Sequence, residues 1–249
     1  MVSGKYSALA GAISREQQLA NISSNLANID TVGYKKNSMT FEAILNGEQQ
    51  TSTAKGINYS RIRDNFTDFT EGPMKPTANP LDIAIHGKGF FKVQSPDGER
   101  YTRRGDFHVD SDGTLLTGNN LPVLDDANAL INIPETDTSK VSINSLGEVS
   151  ILAMDGTRSV VSRIGIFGID DTTKLKRETD TLYSLNADGQ ETTIQEPNLS
   201  QGNLEMSNIN MTEEMALMID TMRTFESYQK VIKAYSILGQ KQDELGTIG

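Results

Sequence analysis

Apolar residues at the start of the chain recur at helical spacing. Val2, Tyr6, Leu9 and Ile13 step by four, three and four, and Leu19, Ile22, Leu26 and Ile29 by three, four and three. This predicts one helix over about 3–29 carrying two offset apolar stripes, so that it meets different neighbours along its length. Asn28, Asp30 and Gly33 mark its end, because Asn and Asp bond to the local backbone and Gly tolerates a left-handed conformation. From 34 to 78 the pattern dissolves into Ser, Thr, Asn, Gln and Gly with scattered Phe41, Ile44, Leu45, Phe66 and Phe69. Such a polar connector is either a linker or a segment that orders against a partner.

The periodicity changes from helical to alternating near Asn79. Leu81 to Ile85 and Phe107 to Val109 alternate, while Phe90 to Val93 and Ile164 to Phe167 read as buried strands. Asp-Gly pairs at Asp97-Gly98, Asp112-Gly113, Asp155-Gly156 and Asp188-Gly189 signal hairpin turns, since both turn residues accept positive φ. Many short strands with tight turns predict an antiparallel all-β domain over 79–200.

Helical spacing returns over about 211–245. Met211, Met215, Met218, Met222 and Phe225 step as a heptad seam, which slips once and resumes at Tyr228, Val231, Tyr235 and Leu238, with Leu245 a heptad further. Asn210 is placed to cap this helix, and Glu213 and Glu214 suit its positive end. The chain therefore divides into an N-terminal helix (1–33), a polar connector (34–78), a central β domain (79–200) and a C-terminal helix with its lead-in (201–249). The fold class is mainly β with long terminal α-helices. A buried Leu, Ile or Met side chain contributes about 1.5–3 kcal/mol, and two helices beside a domain with its own core leave part of each stripe wet. Neighbouring molecules are the expected cover, and the termini are expected to order fully on assembly.

Composition narrows the function. The chain has 33 Asp plus Glu against 23 Lys plus Arg, a net charge of -10, which disfavours a nucleic-acid partner. It has no Cys, which removes disulfides, thiolate metal sites and cysteine nucleophiles. Its apolar runs fall short of the roughly 20 residues a membrane helix needs, so no membrane insertion is expected. Arg15 and Glu16 interrupt the first apolar run, so an uncleaved helix is expected there in place of a signal peptide.

Candidate chemistry is thin. Gly87-Lys88-Gly89 lacks the Lys-Ser or Lys-Thr pair and following helix of a phosphate loop, and reads as a turn. Asp110-Ser111-Asp112-Gly113 resembles part of a calcium loop, but His108 and Asn119 stand where acidic ligands are required, leaving a hairpin turn. His86, His108 and Asp106 suggest a base and an orienting carboxylate without a nucleophile motif. No catalytic, cofactor or metal residue is assigned. A secreted β-domain hydrolase and a dimeric helical adaptor stay as alternatives from other classes.

Several motifs in order carry a resemblance over nearly the whole chain. Asn25-Leu26-Ala27-Asn28 followed by Thr31, Gly33, Tyr34 and Lys35 is similar to the N-terminal signature of the axial rod and hook proteins of the bacterial flagellum. Leu204 to Asn210, including Ser207 and Asn208, with Glu213, Glu214, Met218, Arg223 and Phe225, resembles the C-terminal signature. Asn79 to Ile85, Gly89-Phe90-Phe91, Tyr101-Thr102-Arg103 and Gly105 look like the shared β domain. The chain departs from the pattern at Gly118-Asn119-Asn120-Leu121-Pro122, where a second glycine is usual. The short connector favours the proximal-rod (FlgF) type, with the distal-rod (FlgG) type as the alternative. The resemblance implies a non-enzymatic subunit of the basal-body rod crossing the periplasm, exported by the flagellar type III apparatus, with other rod subunits, distal and upstream proximal, as partners. It also implies that the terminal helices pair as an inner coiled-coil-like layer. The assembly interface is then expected at Leu9, Ile13, Leu19, Ile22, Leu26, Met211, Met215, Met218, Met222, Phe225, Tyr228, Val231, Tyr235 and Leu238.

Overall fold

The computed structural model describes residues 2–45, 58–134, 141–152, 157–179 and 181–246. The chain separates into two compact units. One comprises Met1–Ala27, Asn37–Phe66 and Asn210–Gly249, and the other Asn28–Lys36 and Thr67–Ile209.

The helical unit contains α1 (Val2–Ala27), α2 (Met211–Gly246) and two paired strands, β1 (Asn37–Leu45) and β2 (Asn58–Thr67). Helix α2 has 36 residues and is therefore about 54 Å long. Its cap is the one expected: Asn210 Oδ1 accepts from the backbone N–H of Thr212 at 3.1 Å and of Glu213 at 3.4 Å. β1 and β2 fall inside the stretch that alternation left without strands. Asn25 accounts for the start of β1, since its Oδ1 accepts from Asn37 N at 3.0 Å and its Nδ2 donates to Asn37 O at 2.9 Å. Asn21 Nδ2 donates to the same carbonyl at 2.8 Å.

The β unit is antiparallel in every strand pair described. Its largest sheet has six strands in the order β13 (Leu175–Arg177), β14 (Leu182–Leu185), β6 (Gly98–Thr102), β5 (Phe90–Ser95), β12 (Ile166–Ile169) and β15 (Glu191–Thr193). A three-stranded sheet joins β11 (Arg158–Arg163), β10 (Glu148–Leu152) and β9 (Val141–Ile143). Three strand pairs complete the unit: β4 (Ile83–His86) with β16 (Asn198–Gln201), β3 (Met74–Pro76) with β17 (Asn203–Glu205), and β7 (Phe107–Val109) with β8 (Leu115–Thr117).

β5 is buried on both faces. Phe91 and Val93 enter the main core with Ile83, Ile85, Ile133 and Val149, while Phe90 enters a second cluster with Tyr101, Phe167 and Tyr183. Lys92 alternates onto the second face and is fully buried. Its Nζ meets Glu191 Oε1 at 2.8 Å, Glu99 Oε2 at 2.9 Å and Asn128 Oδ1 at 3.0 Å, so the charge is compensated.

The turn signals resolve unequally. Asp97-Gly98 closes the β5–β6 hairpin and Asp112-Gly113 the β7–β8 hairpin, where Asp110 Oδ1 accepts from Asp112 N at 3.0 Å and Thr114 N at 2.9 Å. Asp188-Gly189 forms a turn that is not a hairpin: β14 and β15, on either side of it, pair with different strands. A tight turn fixes chain direction locally, whereas pairing depends on which sheet edge is free. Asp155-Gly156 lies outside the described residues. At the departure from the signature pattern, Asn120 adopts φ 59, a left-handed conformation Asn tolerates, so the turn needs no glycine there.

Candidate assembly surfaces

Within the helical unit, α1 and α2 run antiparallel with their levels matched every heptad. A Cβ added to Gly4 would stand 2.5 Å from Tyr235 Oη, and one on Gly11 would stand 2.6 Å from Tyr228 Cζ. Two heptads beyond Gly11, Asn25 Nδ2 reaches Glu214 Oε2 at 3.4 Å. Small residues on α1 (Gly4, Ala8, Gly11) thus admit the large tyrosines of α2, which lets the backbones approach closely.

The α2 residues that are not exposed are Glu214, Met218, Thr221, Thr224, Phe225, Tyr228, Ile232, Tyr235 and Gly239, and apart from Thr224 they alternate by four and three. Sequence periodicity found Met218, Phe225, Tyr228 and Tyr235 of this line and missed the rest. Glu214 and Thr221 are polar, and an apolar count passes over them. Thr221 meets its need internally by donating from Oγ1 to Leu217 O at 2.7 Å.

The remaining expected interface residues divide. On α1, Leu9 and Ile13 are exposed together with Tyr6, Leu19 and Leu26 are half-buried, and Ile22 is buried. On α2, Met211, Met215 and Met222 are exposed with Ile219 beside them, and Val231 and Leu238 are exposed further along. Met215 and Met222 are 47% and 48% exposed, so these methionines flank the seam, on which Met218 lies. The side chains of Val2 and Leu245 lie outside the described residues.

The other signature residues gather in the β unit. Gly33 takes φ 69 and donates its N–H to Glu205 O at 2.8 Å, and a Cβ there would stand 2.5 Å from Arg104 N. Asn28 Oδ1 accepts from Thr31 Oγ1 at 3.0 Å. Tyr34 is buried with the Arg177 guanidinium 4.6 Å from its ring centroid. The Lys35 side chain is fully buried and pairs with Glu205 Oε1 while donating to Thr70 O at 2.6 Å. Glu205 also accepts from Gly72 N at 3.0 Å and from Arg103 Nη1 at 3.2 Å, and Arg103 Nη2 donates to Gly87 O at 2.6 Å. Burial pushes the Lys35 amine below its ordinary value, against the pull of Glu205 in the other direction. Ser207 is buried beside this node, and Asn208 Oδ1 accepts from Lys36 N at 2.7 Å. The sequence names these residues individually, but nothing in it places Arg103 between Lys35 and Glu205.

The imagined hydrolytic pair does not form. Asp106 is held by Arg104 through two contacts of 2.5 and 2.7 Å, and His86 Nδ1 lies 3.1 Å from Glu71 Oε1. No metal-binding cluster occurs among the described residues, and none of their helices is long and apolar enough to cross a membrane.

These features define a class: a β-bodied subunit that presents an antiparallel pair of terminal helices with uncovered apolar flanks. Three family descriptions match the chain in order: "Flagella basal body rod protein" at residues 6–35, "Flagellar hook protein FlgE/F/G D1 domain" at 84–151 and "Flagellar basal body rod FlgEFG protein C-terminal" at 200–241. The flagellar basal-body rod protein FlgG of Bacillus subtilis is 34% identical over 93% of this chain and 94% of its own length. FlgF of Caulobacter vibrioides is 31% identical over 91% of each, and FlgG of Buchnera aphidicola from Acyrthosiphon pisum is 30% identical over 98% of this chain and 100% of its own. The chain belongs to the flagellar basal-body rod family. It is a structural subunit of the rod, resides in the flagellar basal body and is not an enzyme; members of this family assemble with other rod subunits.

Proposed function

We propose that this subunit polymerises through its terminal helices, whose antiparallel pair forms a coiled-coil-like inner layer of the rod. The exposed methionine flank carries the proposal. With the seam to α1 filled, Met215, Ile219 and Met222 form an apolar strip left exposed among the described residues, and a neighbouring molecule is its proposed cover. A polar rod needs contacts that propagate without closing, and different flanks on α1 and α2 supply two dissimilar surfaces for such head-to-tail packing. Of the expected interface residues, the exposed Leu9, Ile13, Met211, Met215, Met222, Val231 and Leu238 meet neighbours in this proposal, and Met218, Phe225, Tyr228 and Tyr235 act through the helix pair. The division at 1–33, 34–78, 79–200 and 201–249 and delivery by the flagellar type III export apparatus are parts of the same proposal.

Within the rod we favour the proximal, FlgF-like position, on the short stretch between the N-terminal signature and the β strands. The FlgG relative at 34% identity supports the distal position as a second reading. Expression in strains lacking either FlgF or FlgG separates them. Restored motility and recovery in hook-basal bodies only in the FlgF-deficient strain is expected, rescue only of the FlgG-deficient strain supports the second reading, and rescue of neither rejects both.

A further inference from the structure

Four times the chain passes between the two units, after Ala27, Lys36, Phe66 and Ile209. Asn208, one residue before the last of these passages, binds Lys36 at the second and Asp68 and Thr70 just past the third. Asn208 Oδ1 accepts from Lys36 N at 2.7 Å, and its Nδ2 donates to Asp68 O at 2.9 Å, Thr70 O at 3.2 Å and Thr70 Oγ1 at 3.0 Å. Asp68 N donates to Lys36 O at 2.9 Å, closing the ring. The passage after Ala27 lies outside this ring; six residues beyond it Gly33 N donates to Glu205 O at 2.8 Å. Glu205 in turn is fixed from below by buried Lys35 and Arg103.

We propose that Asn208 is a positioning residue for rod assembly: it clips together the segments from which the helical unit hangs and so fixes their spacing. An amide suits the task because it offers an acceptor to one N–H and two donors to separate oxygens at once, whereas a carboxylate has no donor and a hydroxyl only one. All members of the clip belong to the β unit, and the role proposed for it is geometric. Incorporation into a rod requires α2 to start at one spacing from the roots of β1 and β2, and a small error there grows along α2. This inference rests on assembly through the terminal helices.

The test compares Asn208→Ala with a core variant of the β unit remote from the clip, Ile143→Val or Val149→Ala, chosen to give the same loss of thermal midpoint. Each full-length chain, and the wild type, is expressed in a strain deficient in its own copy, and its recovery in purified hook-basal bodies is measured. Amide exchange at Lys36 is followed in the soluble protein. Expected for Asn208→Ala are exchange at Lys36 accelerated at least tenfold and recovery reduced at least tenfold, with the stability-matched control near wild type. Asn208→Asp, which keeps the bond to Lys36 and loses those to Asp68 and Thr70, falls between them. Equal recovery of Asn208→Ala and its matched control overturns the proposal, as does failure of Asn208→Ala to fold, which assigns the residue to stability alone. Failure of the wild-type chain to enter the rod counts instead against helix-driven assembly.

Discussion

Gly11 and Tyr228 share one space: the absent side chain of the first is filled by the ring of the second, whose Cζ would stand 2.6 Å from a Cβ on Gly11. The same relation recurs a heptad away between Gly4 and Tyr235. Size thereby helps to set the register between α1 and α2, because the two rings occupy the space that side chains at positions 4 and 11 would take. Gly11→Leu is expected to destabilise the helix pair by about 1–3 kcal/mol through overpacking. Tyr228→Ala in the same chain should recover part of that loss, measured as helical ellipticity and thermal midpoint by circular dichroism. Additive losses in the double variant would mean that the two residues do not share a seam.

Charges introduced on the two lines of α2 are expected to act differently. Met222→Asp lies on the exposed flank and should change the stability of the soluble protein by about 0.5 kcal/mol or less while abolishing incorporation and swimming. Met218→Asp is half-buried on the seam and should cost roughly 1–3 kcal/mol before any assembly begins. Urea unfolding of the soluble protein beside a motility assay separates them. Normal swimming with Met222→Asp would remove the methionine flank from the interface.

The node beneath the signature residues holds two cations and one carboxylate. Glu205→Gln leaves Lys35 and Arg103 buried without the carboxylate they both bond, at an expected cost of about 3–5 kcal/mol. Lys35→Met together with Glu205→Gln removes one of the stranded charges and should be clearly milder than Glu205→Gln alone. Thermal unfolding of the three variants checks the order.

Tyr183 is buried against Phe69 and Phe90, and its hydroxyl has no hydrogen-bond partner among the described residues. Tyr183→Phe removes an unpaired polar atom and keeps the ring, so it should be neutral or stabilising by about 1 kcal/mol. Burial raises the phenol above its usual range, so the folded state holds the proton longer than the unfolded chain does. Its contribution is complete below about pH 10 and is lost as pH rises beyond that, at roughly 1.4 kcal/mol per pH unit. Lys35, shifted downward, has the opposite sign, adding stability between its lowered value and about 10.4. Subtracting the Tyr183→Phe profile from the wild type isolates the tyrosine. An identical alkaline slope in both would refute the assignment.

What the residues determined alone was local. Helical periodicity marked α1 and α2, Asn210 marked the cap, and Asp-Gly marked the turns, because each such signal is written within one or two turns of chain. The methionine spacing on α2 likewise revealed an apolar line. Which line would face α1 was decided by tertiary structure, since a Gly-for-Tyr fit between residues far apart outweighed the larger apolar content of the methionines. Pairing of β15 with β12 in place of β14, and of Asn37 with Asn25, was decided in the same way. The buried node is the plainest case. Lys35 and Arg103 lie 170 and 102 positions from Glu205, and partners so separated leave no mark on local periodicity. Their charges become tolerable only when folding removes the water and brings the three together, so the contact exists only in the folded chain.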